Sequence, residues 1–395
     1  MSEATDFFRA HLGQTSPFPF LIEVDRAEGS FIYDKKGKAY LDMIAGVAVN
    51  NIGHRHPKVV DALKAQLDKH LHVMVYGEFI QDAQQELVRQ LLEVLPDTLD
   101  GVYVVNSGTE AIEAALKLAK RATGRTELVS FKGSYHGSTH GSMSVSANEV
   151  KKIAFRPLLP DVRILPHDEM EALAQITERT AGVLIETIQG DAGVRRPSAA
   201  FMQALRARCT EVGALLIFDE IQCGMGRTGS MFAFEQFAIV PDILTLGKAL
   251  GGGMPIGALV AAQQLLNLFT HAPMLGHITT FGGHPMVCAA AAATIAVLRT
   301  EINFEELETK AAAFAKQIEA HPAVVAHRRV GAMFAFDLKD AESVEKVVHY
   351  CLENGVITFW FLSHPYSFRL SPPLNLAQEE WDLAANVIIS ALDRL

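Results

Sequence analysis

Between residues 101 and 246 the chain alternates two patterns of apolar and polar positions. Short, largely apolar runs appear as VYVV at 102–105, ELVSF at 127–131, GVLIET at 182–187, ALLIFDE at 214–220 and DILTL at 242–246. Between them lie segments whose apolar residues recur three and four apart, AIEAALKLAKRA being the clearest. Runs of the first kind suit strands covered on both faces, and the second period is that of an amphipathic helix. Their alternation predicts an α/β fold, a mostly parallel sheet with helices on both faces.

The two ends of the chain read differently. In the first fifty residues FLIEV, FIYD and KAYLD are strand-like, and RAEGS and KKGK are turns, which predicts a β-meander. After about residue 290, VGAMFAFDL, VITFWF and SFRLS read as strands and AESVEKVVHYCLENG as a helix. This predicts a smaller α+β domain that shares its layer with the meander. The expected division is 1–50 as a segment joining the small domain, 51–288 as the large domain and 289–395 as the small one.

The least polar long window, Ile278 to Leu298, is interrupted by Gly282, Gly283, His284 and Pro285. Its alanine-rich second half is too short to span a bilayer and reads as a buried helix. The opening MSEATDFFRAHLGQ carries acids and no apolar core of a signal peptide, so a cytoplasmic protein is expected.

Composition narrows the class. A net charge of −10, from 35 basic and 45 acidic residues, argues against a nucleic-acid binder, which needs a basic face for phosphates. Cys209, Cys223, Cys288 and Cys351 are far apart and form no CxxC pair. They suit buried thiols in a reducing compartment rather than a disulfide framework or zinc site.

Candidate chemistry gathers in a few places. DILTLGKALGGGMPIGALV, from Asp242 to Val260, holds a single ammonium, Lys248, in a run otherwise uncharged after Asp242. Such a lysine either lays its stem on apolar surface and reaches water, or works as a neutral amine in Schiff-base chemistry. Asp219 and Glu220 end an apolar strand, where open α/β sheets bind ligands. An acid there could instead cap the next turn. It also suits the magnesium-binding acid of an NTPase, but no GxxxxGK(S/T) loop accompanies it.

Asn106-Ser107-Gly108-Thr109 joins a strand to an amphipathic helix, a junction that offers free N–H groups and a positive dipole end to a phosphate. Simple capping by Ser107 or Thr109 explains the same residues. CGMGRTG matches GxGxxG, yet its first glycine lies well past the strand and the bulky MFAFEQF follows, so a tight glycine loop competes with a dinucleotide site. His54 and His56, His70 and His72, and His136 and His140 lack metal-ligand companions at zinc spacing and read as loop or surface histidines.

Taken in order, NNIGHRHP, NSGTEAIEAALKLAKR, SYHGST, ETIQG, LLIFDEIQCGMGRTG, LTLGKALGGGMPIGA, HITTFGGHP and FRLSPPL resemble the class III, or ω-amino, aminotransferases. Within that family the chain is most similar to the acetylornithine and ornithine group. The resemblance implies the aspartate-aminotransferase superfold (fold type I) and pyridoxal 5′-phosphate as cofactor. Lys248 then matches the Schiff-base lysine, and Asp219 the acid that keeps the pyridine nitrogen protonated so the ring can act as an electron sink. Ser107, Gly108 and Thr109 match the phosphate site, Tyr135 the stacking residue beside His136, and Gln222 the neighbour of the phenolic oxygen. Thr280 matches a threonine that reaches the phosphate of the partner subunit, implying a homodimer. Arg369 matches the clamp for a substrate α-carboxylate, and Glu186 the acid that neutralises it when the other substrate is bound. The implied reaction is ping-pong transfer from an ω-amino donor to a 2-oxo acid, 2-oxoglutarate being expected.

Two positions depart from the family pattern. Thr187 stands where EPIQG has proline, which changes a turn and not the chemistry. Ser138 stands where the acetylornithine, ornithine and GABA enzymes carry an arginine after HG. A hydroxyl offers one neutral donor where a guanidinium offers a charged fork. The expected donor is therefore of the ornithine–lysine–diamine kind. N-acetylornithine is expected to be poor unless His140 or Lys132 supplies the charge. The same fold also hosts decarboxylases, racemases and aminomutases, and CGMGRTG leaves an NAD-dependent oxidoreductase as an alternative. A binding protein without turnover is a third class.

Overall fold

The computed structural model describes residues 2–395. Its centre is a seven-stranded sheet. The strand order is Gly101–Val105, Gly257–Ala261, Ile243–Leu246, Leu215–Asp219, Thr180–Glu186, Glu127–Phe131 and Val162–Leu165. Pairing is parallel throughout except at Gly257–Ala261, which runs against both of its neighbours. The expected α/β architecture is present, and each of the five apolar runs contains a strand. Two strands escape the pattern: VRIL carries an arginine that pairs with Glu127, and GALVA lies inside the glycine-rich stretch.

Helix Gly108–Thr123 covers one face. Ser107 caps its N-terminus, and Gly124 ends it with φ +69°, a left-handed conformation that suits glycine. Close packing needs Gly182 in the strand beneath, where a Cβ would come within 2.9 Å of the Ala119 methyl. The predicted buried helix runs over Pro285–Thr300, with proline in its first turn and His284 accepting a hydrogen bond from the Met286 N–H. It packs on helices Pro57–Leu67 and Asp82–Leu92. It passes unbroken through residues 288 and 289. Among the described residues no single helix is long and apolar enough to cross a membrane.

Two four-stranded sheets complete the molecule. The first joins Val24–Glu28, Phe31–Asp34 and Ala39–Asp42 to Val356–Ile357, which pairs in parallel with Leu41 and Asp42. Here the meander differs from expectation. The first strand begins at Val24, where FLIEV ends, and runs through the residues read as a turn. Glu28 and Phe31 close a two-residue turn at Gly29-Ser30, with Gly29 at φ +57°.

The second outer sheet has the order Ala326–Val330, Met333–Asp337, Ser367–Leu370 and Phe359–Trp360. VITFWF is therefore two strands in two sheets, split at Thr358. That split is what joins the N-terminal meander to the C-terminal region.

Candidate active site

Lys248 follows the strand Ile243–Leu246 after one glycine, where the chain turns into a short 3-10 helix over Lys248–Gly251. The turn is tight enough to hold Lys248 at φ +40°, an uncommon value for a residue with a side chain. Gly247 is needed for a close approach: a Cβ there would lie 3.3 Å from the Cα of Gly108, at the start of helix Gly108–Thr123. The lysine and the helix N-terminus are thereby brought together. Burial pushes the Lys248 ammonium below its ordinary pKa; the Asp219 charge opposes this and Arg369 adds to it.

The side chains meet in a cavity of about 290 Å³. Its walls include Lys248, Asp219, Glu186, Gln222, Tyr135, His136 and Ser138, with Gly108 and Thr109 at the helix N-terminus. Asp219, at the carboxyl end of strand Leu215–Asp219, is buried and braced on both oxygens. One accepts from the Ile221 N–H at 3.0 Å, and the other lies 2.7 Å from Nδ1 of His136. The His136 backbone N–H donates to the Ser146 hydroxyl at 2.9 Å, which holds the residue in place. With Nδ1 directed at the carboxylate, the buried Nε2 has no partner among the described residues. Neither has the buried Nε2 of Gln222.

Glu186 ends the neighbouring strand. Its two oxygens accept from the N–H groups of Tyr135 and Gly190, each at 2.9 Å. Burial raises its pKa to about 7; the His136 charge and the two N–H groups oppose the rise, and Asp219 adds to it.

Ser107 does not line the cavity and acts as a cap for the helix, its hydroxyl accepting from the Glu110 N–H at 3.3 Å. Thr109 reaches the hydroxyls of Ser142 and Thr139 at 2.7 and 2.8 Å. A Cβ on Gly108 would lie 2.8 Å from Ile221. One on Gly137, at φ +131°, would lie 2.4 Å from the Thr109 hydroxyl. Only glycine fits these two positions.

This arrangement fits pyridoxal 5′-phosphate on its own chemistry. A lysine made less basic, a braced carboxylate, unpartnered buried nitrogens and a helix N-terminus, whose first N–H groups lack intrahelical acceptors, converge on one space.

Arg369 and Thr280 do not line the cavity. Arg369, on strand Ser367–Leu370, is buried with its guanidinium 4.9 Å from the centre of the Phe361 ring. It has no hydrogen bond or ion pair with any described residue. Burial lowers its pKa, opposed by Asp191 and Glu186. Thr280 is exposed, beside the exposed Phe281 and Ile278. Ser138 touches the Tyr135 hydroxyl at 3.1 Å. His140 and Lys132, the expected substitutes for its missing charge, are exposed and line no part of the cavity.

The glycine loop at 224–229 is followed by the short 3-10 helix Ala233–Phe237 and not by a dinucleotide-binding helix. Its Arg227 is buried and donates to the carbonyls of Ala332 at 3.2 Å and Pro372 at 2.5 Å, and to the side chain of Asn51. His54 lies 2.9 Å from Asp42, and His56 lies 3.3 Å from Glu301. The four cysteines are free and buried.

Sequence reasoning passed over Ile188, Ile221 and Cys223, which also line the cavity. Ile188 lies in the bend that follows the strand, where period-two alternation no longer assigns a side. It also passed over Asp191, Ser363 and Lys151, which tertiary contacts bring together near Tyr135. No local pattern joins residues so distant in the chain.

Residues 13–392 match the family model described as Aminotransferase class-III. The chain is 37% identical over 385 residues to an acetylornithine aminotransferase of Methanopyrus kandleri, covering 97% of this chain and 96% of the relative. It is 35% identical to the LysW-aminoadipate semialdehyde/glutamate semialdehyde transaminase of Sulfolobus acidocaldarius, covering 94% and 95%. The ornithine aminotransferase structure from Toxoplasma gondii superposes with a TM-score of 0.91 at 28% identity, covering 100% of this chain and 96% of that one.

Proposed function

Because the chain belongs to the class-III aminotransferases, we propose that it moves an amino group from an ω-amino donor of the ornithine or acetylornithine kind to a 2-oxo acid. 2-Oxoglutarate is the acceptor in this reading, and the two half-reactions alternate at one site. The observation that carries it is the convergence of Lys248 and the braced Asp219 on a single cavity.

Pyridoxal 5′-phosphate supplies an electron sink for the carbanion that forms at the reacting carbon. Lys248 would hold its aldehyde carbon, and Asp219 its ring nitrogen, with His136 fixing the carboxylate. Gly108, Thr109 and the helix N-terminus would take the phosphate, Tyr135 the ring face and Gln222 the phenolic oxygen. Lys248 would be the group that takes a proton from the substrate carbon and delivers it to the cofactor carbon; burial favours the neutral amine that this transfer needs. Arg369, which has no acceptor among the described residues, would hold the α-carboxylate of the acceptor. Glu186 modulates it through charge.

A second copy of the chain contributing its Thr280 to the phosphate belongs to the same reading. It is supported by an open groove of about 900 Å³ whose walls include Tyr103, Phe269, Met274 and Ile278. In the division into a large unit 51–288 and a small unit 289–395, the joining of 1–50 to the small unit is supported by the pairing of Val356–Ile357 with Leu41 and Asp42. A cytoplasmic location is supported by the free cysteines.

The test loads the purified chain with pyridoxal 5′-phosphate, reduces it with borohydride and maps the modified peptide. Lys248 is the expected residue. Donors are then screened with 2-oxoglutarate and pyruvate, following glutamate or alanine together with carbon dioxide. Modification elsewhere, or ω-amines that yield carbon dioxide and no new amino acid, overturns the reading.

A further inference from the structure

Two neighbouring lysines on the short turn Glu149–Lys152 are used in opposite ways. Lys152 is buried: its Nζ donates to the carbonyls of Ser144 at 3.2 Å and Ser146 at 2.9 Å, and lies 3.0 Å from Glu149. Lys151 has a side chain 38% exposed, and its ammonium makes no hydrogen bond with any described residue. It stands 5.7 Å from the centre of the Tyr135 ring, the ring that forms one wall of the cavity. On its other side is Oδ2 of Asp191, at 3.6 Å, beyond the usual length of a hydrogen bond.

Asp191 does not move freely to meet it. The carboxylate is buried and tied to the chain before Arg369, accepting from the Leu362 N–H at 3.1 Å and the Ser363 hydroxyl at 2.6 Å. A ring and a fixed carboxylate therefore keep an ammonium beside the cavity wall, ion-paired with Asp191 but with no hydrogen bond to a described residue from its three donors. The hydroxyl of the same tyrosine meets Ser138, which adds only a neutral group.

We propose that Lys151 determines donor specificity by binding the carboxylate at the far end of an ω-amino-acid donor while the ω-amine reacts at Lys248. This rests on the donor reading above. An ω-amino acid enters with its amine toward Lys248 and its carboxylate directed outward. A carboxylate left without a partner near a partly dry wall is costly. Arg369 serves the acceptor in that reading, and Lys151 is the cation over the Tyr135 ring. A lysine is a point charge on a flexible stem, so it follows carboxylates at different distances. Donors that differ by one methylene are then served with similar efficiency, while a donor lacking the carboxylate loses the contact.

The test compares ornithine with 1,4-diaminobutane, which differs from it by that carboxylate, within each protein variant. In Lys151→Met the ratio of kcat/KM for ornithine to that for the diamine falls about tenfold to a hundredfold, the loss of one charge-assisted contact. Lys151→Arg keeps the ratio within about threefold, because the charge is retained. Equilibrium binding gives a second readout. In a Lys248→Ala background loaded with pyridoxal 5′-phosphate, calorimetry shows the Kd for ornithine rising about tenfold on adding Lys151→Met, with no matching rise for the diamine. A ratio that is the same in the parent and in Lys151→Met overturns the inference alone. A parent that turns over neither amine overturns the donor reading and the inference with it.

Discussion

Arg227 and Arg369 are both buried, and both have pKa values lowered by burial, Arg227 to about 9. Their surroundings separate them. Arg227 donates to three acceptors, from Asn51, Ala332 and Pro372, and its Nε lacks a partner among the described residues. It ties the N-terminal segment, the strand start at Met333 and the chain after Arg369 into one junction. Arg369 lies against an aromatic ring with no acceptor among the described residues. The adjacent carboxylates Asp219 and Glu220 each have two partners and are separated by what they face. Glu220 accepts from the N–H groups of Ala233 and Phe234 at 2.7 and 2.6 Å and holds the turn that follows the glycine loop. Asp219 faces the cavity. Burial by itself does not mark function: for the acids the mark is the cavity that Asp219 lines, and for the arginines it is hydrogen-bonding capacity left open, which a folded chain rarely leaves without a partner.

The sharpest way to break this contrast is at the adjacent acids. Asp219→Asn keeps the shape but removes the charge opposite the cofactor ring, and kcat/KM falls roughly 10²- to 10³-fold with circular dichroism unchanged. A fall of only a few-fold would place Asp219 outside the chemistry.

Glu220→Gln leaves that chemistry in place and acts on stability. Burial raises the Glu220 pKa from 4.5 to about 8, against the two N–H groups that favour its charged form. The folded state therefore holds the proton longer than the unfolded chain. Its contribution is complete below pH 4.5 and is lost as pH rises through 8. Glutamine has no proton to lose, so the variant gains on the parent between pH 5 and 9, by roughly 4 kcal/mol in all. Urea midpoints at the two pH values measure this, and a pH-independent difference contradicts it.

The two arginines give the next contrast. Arg227→Met strands three acceptors, and unfolding stability drops by roughly 3 kcal/mol. Arg369→Met strands none, so its thermal midpoint stays near that of the parent. The KM for 2-oxoglutarate instead rises tenfold or more, corresponding to roughly 1.5 kcal/mol. Equal losses of stability in the two variants would dissolve the distinction.

How much of this was legible beforehand follows from the range of each interaction. The central strands were visible because burial on both faces writes a continuous apolar run. Lys248 stood out as a lone charge in such a stretch, and Ser107-Gly108-Thr109 because a strand-to-helix junction is local. The Val162–Leu165 strand was hidden by Arg163, whose charge is answered 36 residues earlier by Glu127. The split of VITFWF between two sheets was equally hidden, since nothing at Thr358 announces that its neighbours pair with different partners.

The apolar periodicity was enough to establish the α/β layers, the buried Pro285–Thr300 helix and the strand ends that carry Asp219, Glu186 and Lys248. Those features depend on neighbours a few positions apart, which the backbone period brings to one face. Folding alone decided which buried charges are engaged and which are left open. Arg227 and Arg369 look alike as letters in a chain, as do Lys151 and Lys152. Their acceptors, or the lack of them, come from segments as far apart as Asn51 and Pro372, placed side by side only when the sheets close on one another.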